Sequence, residues 1–334
     1  MLYLALLHAK EQGRSPLVWA GRNAHRTLLS AVSLLDLPIR WLLPAQASYL
    51  SCPINAAFLE SALSASAEKP TALFVTSPDY LGNLLDISAL ADVCHRHGVL
   101  LLVDCAHGAY LRFLSPSCHP LDLGADMACC SAHKTLPVLT GGAYLHIGSH
   151  LPMIIKSHAK QALALFGSTS PSYLILESLD RANRYLATDY AAKLASFSHE
   201  VTHMKMRLQT KGFELIGNEA LKLTVAPKSY GYTGSELAAH LEKESIICEF
   251  SDPDYVVMML TPELGIDALN KLEAVLLSTE KRDPIRNRAP AISPTDQKLS
   301  MREALFSPSE ELPLGACRGR ILASASITCP PAIP

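Results

Sequence analysis

Residues 129–136 read CCSAHKTL, which sets an amine, Lys134, beside an imidazole, His133, among small side chains. Thirty residues earlier the apolar run VLLLVD ends on Asp104, and His107 follows that acid by three positions in DCAHGAY. A third polar cluster, TSPDYLGN, comes straight after the apolar TALFV and supplies Thr76 and Ser77. An amine attacks a carbonyl carbon usefully because the imine it forms is exchangeable, provided burial and nearby cations lower its pKa. Taken singly, these residues have plainer readings. A lysine is ordinarily a surface side chain, an aspartate after a strand ordinarily caps a turn, and Thr-Ser before Pro78 fits a turn.

The elements around them decide whether they meet. MLYLALLHAKEQG opens the chain with leucines that suit a core-facing helix stopped at Gly13, with no N-cap before it. Short strands in SPLVWA and PIRWLL, at 71–75 and 99–104, and in GGAYLHIG take turns with helices near 24–35, 54–65 and 86–97, the last ended by Gly98. The unbroken VLLLV requires a strand buried on both faces, and the alternation predicts an α/β fold with a mostly parallel sheet between helices. In such a sheet functional groups gather at the carboxyl ends of strands, which is where all three clusters fall. An acid, imidazoles and an amine are expected to converge there.

The expected division is a large domain over 1–165, connecting helices and a smaller α+β domain over 166–280, and a further region over 281–334. The smaller domain is read from FELIG, LKLTVAP, a helix near 233–244, DYVVMMLTP and a helix near 266–279. The last region opens on the Pro- and charge-rich KRDPIRNRAPAISPTDQK, a linker by composition, and closes on ITCPPAIP, expected to be extended.

A chain of 334 residues that is 49% hydrophobic and 18% charged has the size of an enzyme with more than one packed unit. With 29 Lys+Arg against 31 Asp+Glu and no basic stripe interleaved with aromatics, nucleic acid is not an expected partner. Nine cysteines without C-x-x-C spacing read as free thiols of a reducing compartment. Cys94-His95 and Cys118-His119 lack a second ligand pair at finger-like spacing, so no metal is expected. The N-terminal apolar run is short and has no basic lead-in, which fits neither a signal peptide nor a membrane span, and the expected location is the cytoplasm.

An acid closing one strand and a His-Lys pair thirty residues on is the layout that a pyridoxal phosphate site requires. DCAHGAY followed by SAHKTLPVLTGGAYLH resembles the pyridoxal-phosphate-dependent Orn/Lys/Arg decarboxylase family, of the aminotransferase-like fold type I. RNAHRTL and TSPDYLGNLLDI before these motifs, and FGSTSPSYLILESLDRANRYL, CEFSDPDYVVMMLTP and SMREALFSP after them, extend the likeness in the family's order. The resemblance implies a PLP-dependent transferase-like large domain and a smaller C-terminal α+β domain. It also implies decarboxylation of lysine, arginine or ornithine through a Schiff base and a quinonoid, as in polyamine metabolism, by a homodimer or higher homo-oligomer. Lys134 would form the Schiff base, and Asp104 would keep the pyridinium nitrogen protonated so that the ring accepts electrons. His25 would stack on one face of the ring, with Ala106 against the other, where small size matters. His133 and His107 would orient the cofactor or shuttle protons, Ser131 would reach the phosphate, and Thr76 and Ser77 would contact the ring oxygen or phosphate.

The chain departs from the family pattern at Cys105, where an acidic residue is more common, and at Gly141, where glutamine is common. The glycine- and threonine-containing loop before the first helix, which cradles the phosphate with that helix's N-terminus, is absent, and residue 1 is expected to fall inside the helix. The chain therefore reads as N-terminally truncated, and it stops at PPAIP where members continue. Two other readings follow: a catalytically silent relative that pairs with a longer partner chain, and a different cofactor-dependent reaction such as transamination.

Overall fold

A computed structural model describes residues 1–168, 170–287 and 297–321; the terminal ITCPPAIP and the central part of the Pro-rich linker lie outside them. The six strands β1 (Val18–Gly21), β2 (Ile39–Leu42), β3 (Ala72–Thr76), β4 (Leu100–Asp104), β5 (Met127–Cys130) and β6 (Tyr144–Ile147) form one sheet, ordered β2-β1-β3-β4-β5-β6. Neighbours run parallel except β6, which is antiparallel to β5.

Successive side chains of a strand point to opposite faces, and the core divides accordingly. Trp19, Leu73, Val75, Leu101, Val103 and Cys130 join one cluster, whereas Val18, Ala20, Phe74, Leu102 and Met127 join another. The first nine helices are α1 (Leu2–Glu11), α2 (Arg26–Leu35), α3 (Ala56–Ala65), α4 (Ile87–Arg96), α5 (Ala132–Thr135), α6 (Met153–Ser157), α7 (Ala159–Phe166), α8 (Tyr173–Leu186) and α9 (Tyr190–Lys211). Leu4, Val32, Ile155 and Ala162 of α1, α2, α6 and α7 pack with Phe74, whereas Leu59, Leu63 and Leu90 of α3 and α4 pack with Leu73 and Val103. Leu101, Leu102 and Val103 are wholly buried, as their unbroken apolar run requires. Each such side chain contributes about 1.5–3 kcal/mol.

Local signals fix the ends of these elements. Asp86 accepts the Ala89 N–H (3.0 Å) to start α4, and Gly98 follows its C-cap with φ +66°, a left-handed conformation that glycine adopts without strain. Met1 occupies the cap position of α1 without a side-chain bond, so the helix starts at Leu2.

A second, antiparallel sheet is built from β7 (Glu214–Ile216), β8 (Lys222–Ala226), β9 (Phe250–Ser251) and β10 (Val256–Met259), in the order β7-β8-β10-β9. Helices α10 (Gly234–Lys243) and α11 (Gly265–Ser278) accompany it, and α10 starts in a capping box between Thr233 and Glu236. Tyr190, Leu194, Phe197, Val201, Met204 and Leu208 recur at three- and four-residue steps along α9, forming one buried stripe. That stripe shares a single core with Val103 of the first sheet and Val225 of the second, so α9 holds the two sheets together. The last α-helix among the described residues, α12 (Met301–Phe306), returns to α2: Ser33 Oγ donates to the Met301 carbonyl (3.0 Å) and Arg302 Nη1 to the Ser33 carbonyl (3.0 Å). Among the described residues no helix is long and apolar enough to cross a membrane.

Candidate active site

The ends of β3, β4 and β5 lie side by side, with Thr76 in register with Asp104 and Asp104 with Cys129. Past β5 the chain turns at Ser131 into the single turn of α5, which carries Lys134. Lys134 Nζ lies 3.0 Å from His107 Nε2, and the other ring nitrogen, Nδ1, lies 3.1 Å from Nζ of Lys222 at the start of β8. Lys222 also donates to the Asp79 carbonyl (3.2 Å), sits 4.0 Å from the Glu219 carboxylate and faces the Tyr80 ring at 5.7 Å. Tyr80 packs edge-on against His107, with centroids 5.4 Å apart.

An imidazole between two amines restricts the protons. Burial, then the charges of Lys222, Lys134 and His25, hold His107 well below its ordinary value, so the ring is neutral and has one N–H and one lone pair. Its one lone pair can accept from one lysine. Lys222 is the better ammonium, because a carbonyl and a carboxylate face it as well; Glu219 and Asp79 oppose the lowering that burial imposes on it. His107 Nδ1 then accepts from Lys222, and Nε2 faces Lys134 Nζ. This tautomer is assigned from the bonding network. It sets the Lys134 amine against the ring.

Asp104 Oδ1 accepts the Ala106 N–H (3.1 Å). Burial pushes this carboxyl above its ordinary value, against the pull of the Ala106 N–H and Lys134. His25 caps α2 by accepting the Thr27 N–H at 3.3 Å. Burial, then Lys134 and Arg26, lower it, which puts it within the field of Lys134. Ala106 is half-buried beside Asp104, and the buried Thr76 Oγ1 has no partner among the described residues.

Not every expected residue joins this group. Ser77 Oγ accepts the Leu85 N–H (3.1 Å), which commits it to its own loop, and His133 Nδ1 bonds the Gly142 carbonyl at 2.9 Å. Ser131 stands at the cap position of α5 without making a cap bond. Lys222, Glu219, Asp79 and Tyr80 were not singled out in the sequence. The signal for Lys222 was its place in LKLTVAP, a lysine opening a strand whose neighbours are all apolar or small; in the structure it is 3% exposed.

The turn carrying His107 has no slack. A Cβ on Gly108 would lie 2.5 Å from Cys105 Sγ, 2.7 Å from Leu111 Cδ1 and 2.8 Å from Pro78 Cδ. Gly108→Ala is expected to destabilise the protein by about 1–3 kcal/mol through overpacking. A lowered urea midpoint with an unchanged slope checks this, and an unchanged midpoint contradicts it.

An amine backed by an imidazole, next to a half-buried carboxylate, can bind an aldehyde covalently and pair with a cationic ring nitrogen. The Orn/Lys/Arg decarboxylase major-domain family matches residues 7–224, a span that holds all of these groups. The arginine decarboxylase of Bacillus subtilis (strain 168) is 29% identical over 335 residues, covering 94% of this chain and 68% of that protein. The arginine decarboxylase of Halalkalibacterium halodurans is 29% identical over 337 residues, with the same coverage of 94% and 68%. The lysine decarboxylase of Francisella novicida superposes with a TM-score of 0.64 at 18% identity, over 78% of this chain and 44% of that one. Alanine–glyoxylate aminotransferase from Nostoc sp. superposes with a TM-score of 0.62 at 16% identity, over 83% and 78%. These superpositions identify the fold as aminotransferase-like.

Proposed function

The chain belongs to the Orn/Lys/Arg decarboxylase family, and from that premise we propose that it removes the α-carboxylate of lysine, arginine or ornithine, with pyridoxal phosphate held at Lys134. The observation that carries this reading is the Lys222–His107–Lys134 chain beside Asp104. Support also comes from relatives that are named arginine decarboxylases.

The residues present fit the cofactor. Lys134 offers the amine for its aldehyde and Asp104 a carboxylate for its ring nitrogen. Ala106 leaves room for a flat ring, and the unpartnered Thr76 hydroxyl offers a hydrogen bond. When bound, pyridoxal phosphate supplies a sink for the electron pair released as the bond between Cα and the carboxylate breaks. The protein's share is positioning and proton control. Asp104, as a carboxylate, holds a proton on the ring nitrogen; pairing with that cation offsets the desolvation that otherwise raises it. His107 Nε2 keeps Lys134 Nζ oriented, and Lys134 Nζ is the group placed to carry a proton to the substrate carbon. His25, half-buried at the N-terminus of α2, would cover the ring.

Adding pyridoxal phosphate to the purified chain is expected to give a visible absorbance band, and borohydride reduction to fix the cofactor's mass on the peptide holding Lys134. Cadaverine, agmatine or putrescine release then identifies the substrate. A keto acid product would select transamination, and bound cofactor without turnover would select the silent relative. Asp104→Asn is expected to lower turnover by on the order of 10²–10³-fold, the range for losing one preorganised electrostatic partner. Cofactor affinity should fall much less, and equal losses in both would refute the assigned role. The homodimer implied by the resemblance belongs to this reading, and sedimentation at a single-chain mass would refute it.

A further inference from the structure

We infer that His119, Cys130 and His146 form a binding site for one thiophilic divalent cation, zinc being the best match. Cys118-His119 lacks a sequence-adjacent partner pair, but the fold supplies partners from two strands, spaced H-x10-C-x15-H. Cys130 ends β5, and His146 stands on β6 in register with Ala128, so the two are diagonal neighbours on one face of an antiparallel pair. His119 comes from the loop before β5. Cys118 takes no part, since its thiol bonds the Pro116 carbonyl at 3.8 Å.

One ligand atom from each of the three residues lies within 4.8 Å of the other two, and His119 Nε2 is 3.5 Å from Cys130 Sγ. Tetrahedral zinc, with Zn–S of about 2.3 Å and Zn–N of about 2.0–2.1 Å, requires an N···S separation of about 3.5–3.6 Å. That edge already has its length. The two imidazoles meet edge-on, at 4.9 Å and 80°, rather than stacked. One thiolate with two imidazoles is a donor set that suits zinc over magnesium or calcium.

His119 and Cys130 are buried, so an ion there would be held away from bulk water. Access comes from the imidazole side, where His119 and His146 line a cavity of about 270 Å³ together with Arg112, Asp122, Tyr144 and Asn183. This cavity leaves room for a water as the fourth ligand. Cys105 also hydrogen-bonds Cys130. Binding gives up one weak contact: His119 Nδ1 accepts the Leu121 N–H at 3.3 Å, and a metal on Nε2 places the ring proton on Nδ1. Binding also displaces the Cys130 thiol proton to solvent. The ion would tie the loop before β5 to β5 and β6, bracing the strand that leads into Lys134.

The test uses the full chain, freed of metal by chelation and then titrated with Co²⁺. One equivalent is expected to give a thiolate-to-cobalt charge-transfer band in the near ultraviolet, which Zn²⁺ then displaces. Cys130→Ser and His146→Asn, each checked for folding by circular dichroism, should both lose the band. His95→Ala/His150→Ala should keep it. That double variant removes the other cluster able to hold a metal among the described residues, two half-exposed imidazoles on the Asp126 carboxylate at 3.1 and 2.8 Å. Absence of the band in the unaltered chain, or its survival in either Cys130→Ser or His146→Asn, overturns the proposal.

Discussion

Replacing Lys134 by alanine is expected to lower amine release by at least about 10²–10⁴-fold, the range for removing a positioned proton-transfer group alone. Loss of the covalent attachment comes on top, so borohydride should no longer fix the cofactor to that peptide. The fold should survive. Lys134 is half-buried and its side chain bonds His107 Nε2, so the variant leaves one buried ring nitrogen without that partner, at about 1–3 kcal/mol. Lys134→Arg separates charge from nucleophilicity, because it restores a cation near His107 and His25 but offers no amine for an imine. If the arginine variant turned over at the rate of the unaltered chain, the role given to Lys134 would be wrong.

Lys222→Met should give the largest loss of stability. Lys222 and Glu219 are both almost fully buried, and removing one partner of such a pair typically destabilises by about 3–5 kcal/mol, because the other is left without compensation. Adding Glu219→Gln to Lys222→Met should recover part of the loss. A purely steric role for Lys222 would leave the double variant no better than the single one.

The same substitution has a pH signature. Lys222 is the charge that most lowers His107, so without it the imidazole rises toward its ordinary value and the acid limb of kcat/KM moves to higher pH. Stability follows the same sign. His107 has a lower pKa folded than unfolded, so the unfolded chain binds the extra proton and the protein loses stability as pH falls through the ordinary imidazole value of about 6.5. In Lys222→Met that dependence should be shallower. An acid limb that stayed in place in the variant would count against the His107–Lys222 bond.

The large sheet could be read in the sequence because its signals are local. VLLLVD is buried on both faces, as its composition demands, and Asp86 and Gly98 bound α4 where a cap and a left-handed glycine would place its ends. The convergence of Lys134, His107 and Asp104 was legible for the same reason, since all three follow strand ends and a parallel sheet aligns those ends. Lys222 was not, because it lies 115 residues from the histidine it contacts and reaches it only through the packing of α9 between the sheets. Ser77 and His133 show the opposite case. They neighbour the right residues in sequence, yet local N–H and carbonyl groups take their side chains, and only coordinates reveal that competition. Cys130 and His146 escaped notice as partners for His119 because their spacing matches no compact metal motif and only the antiparallel turn of β6 onto β5 gathers the three.

The return of α12 to α2 has a consequence in time. The bond from Ser33 Oγ to the Met301 carbonyl joins residues 268 positions apart. At about 5–20 residues per second of synthesis, α2 waits roughly 13–54 s for this partner to be made. During that interval Ser33 Oγ has only the Leu29 carbonyl one turn back, at 2.8 Å, so α2 must settle on the sheet through Leu28 and Val32 before its outer surface is covered. On the ribosome, therefore, the helix capped by His25 matures in two stages, and the later one waits on the emergence of residues 300–306.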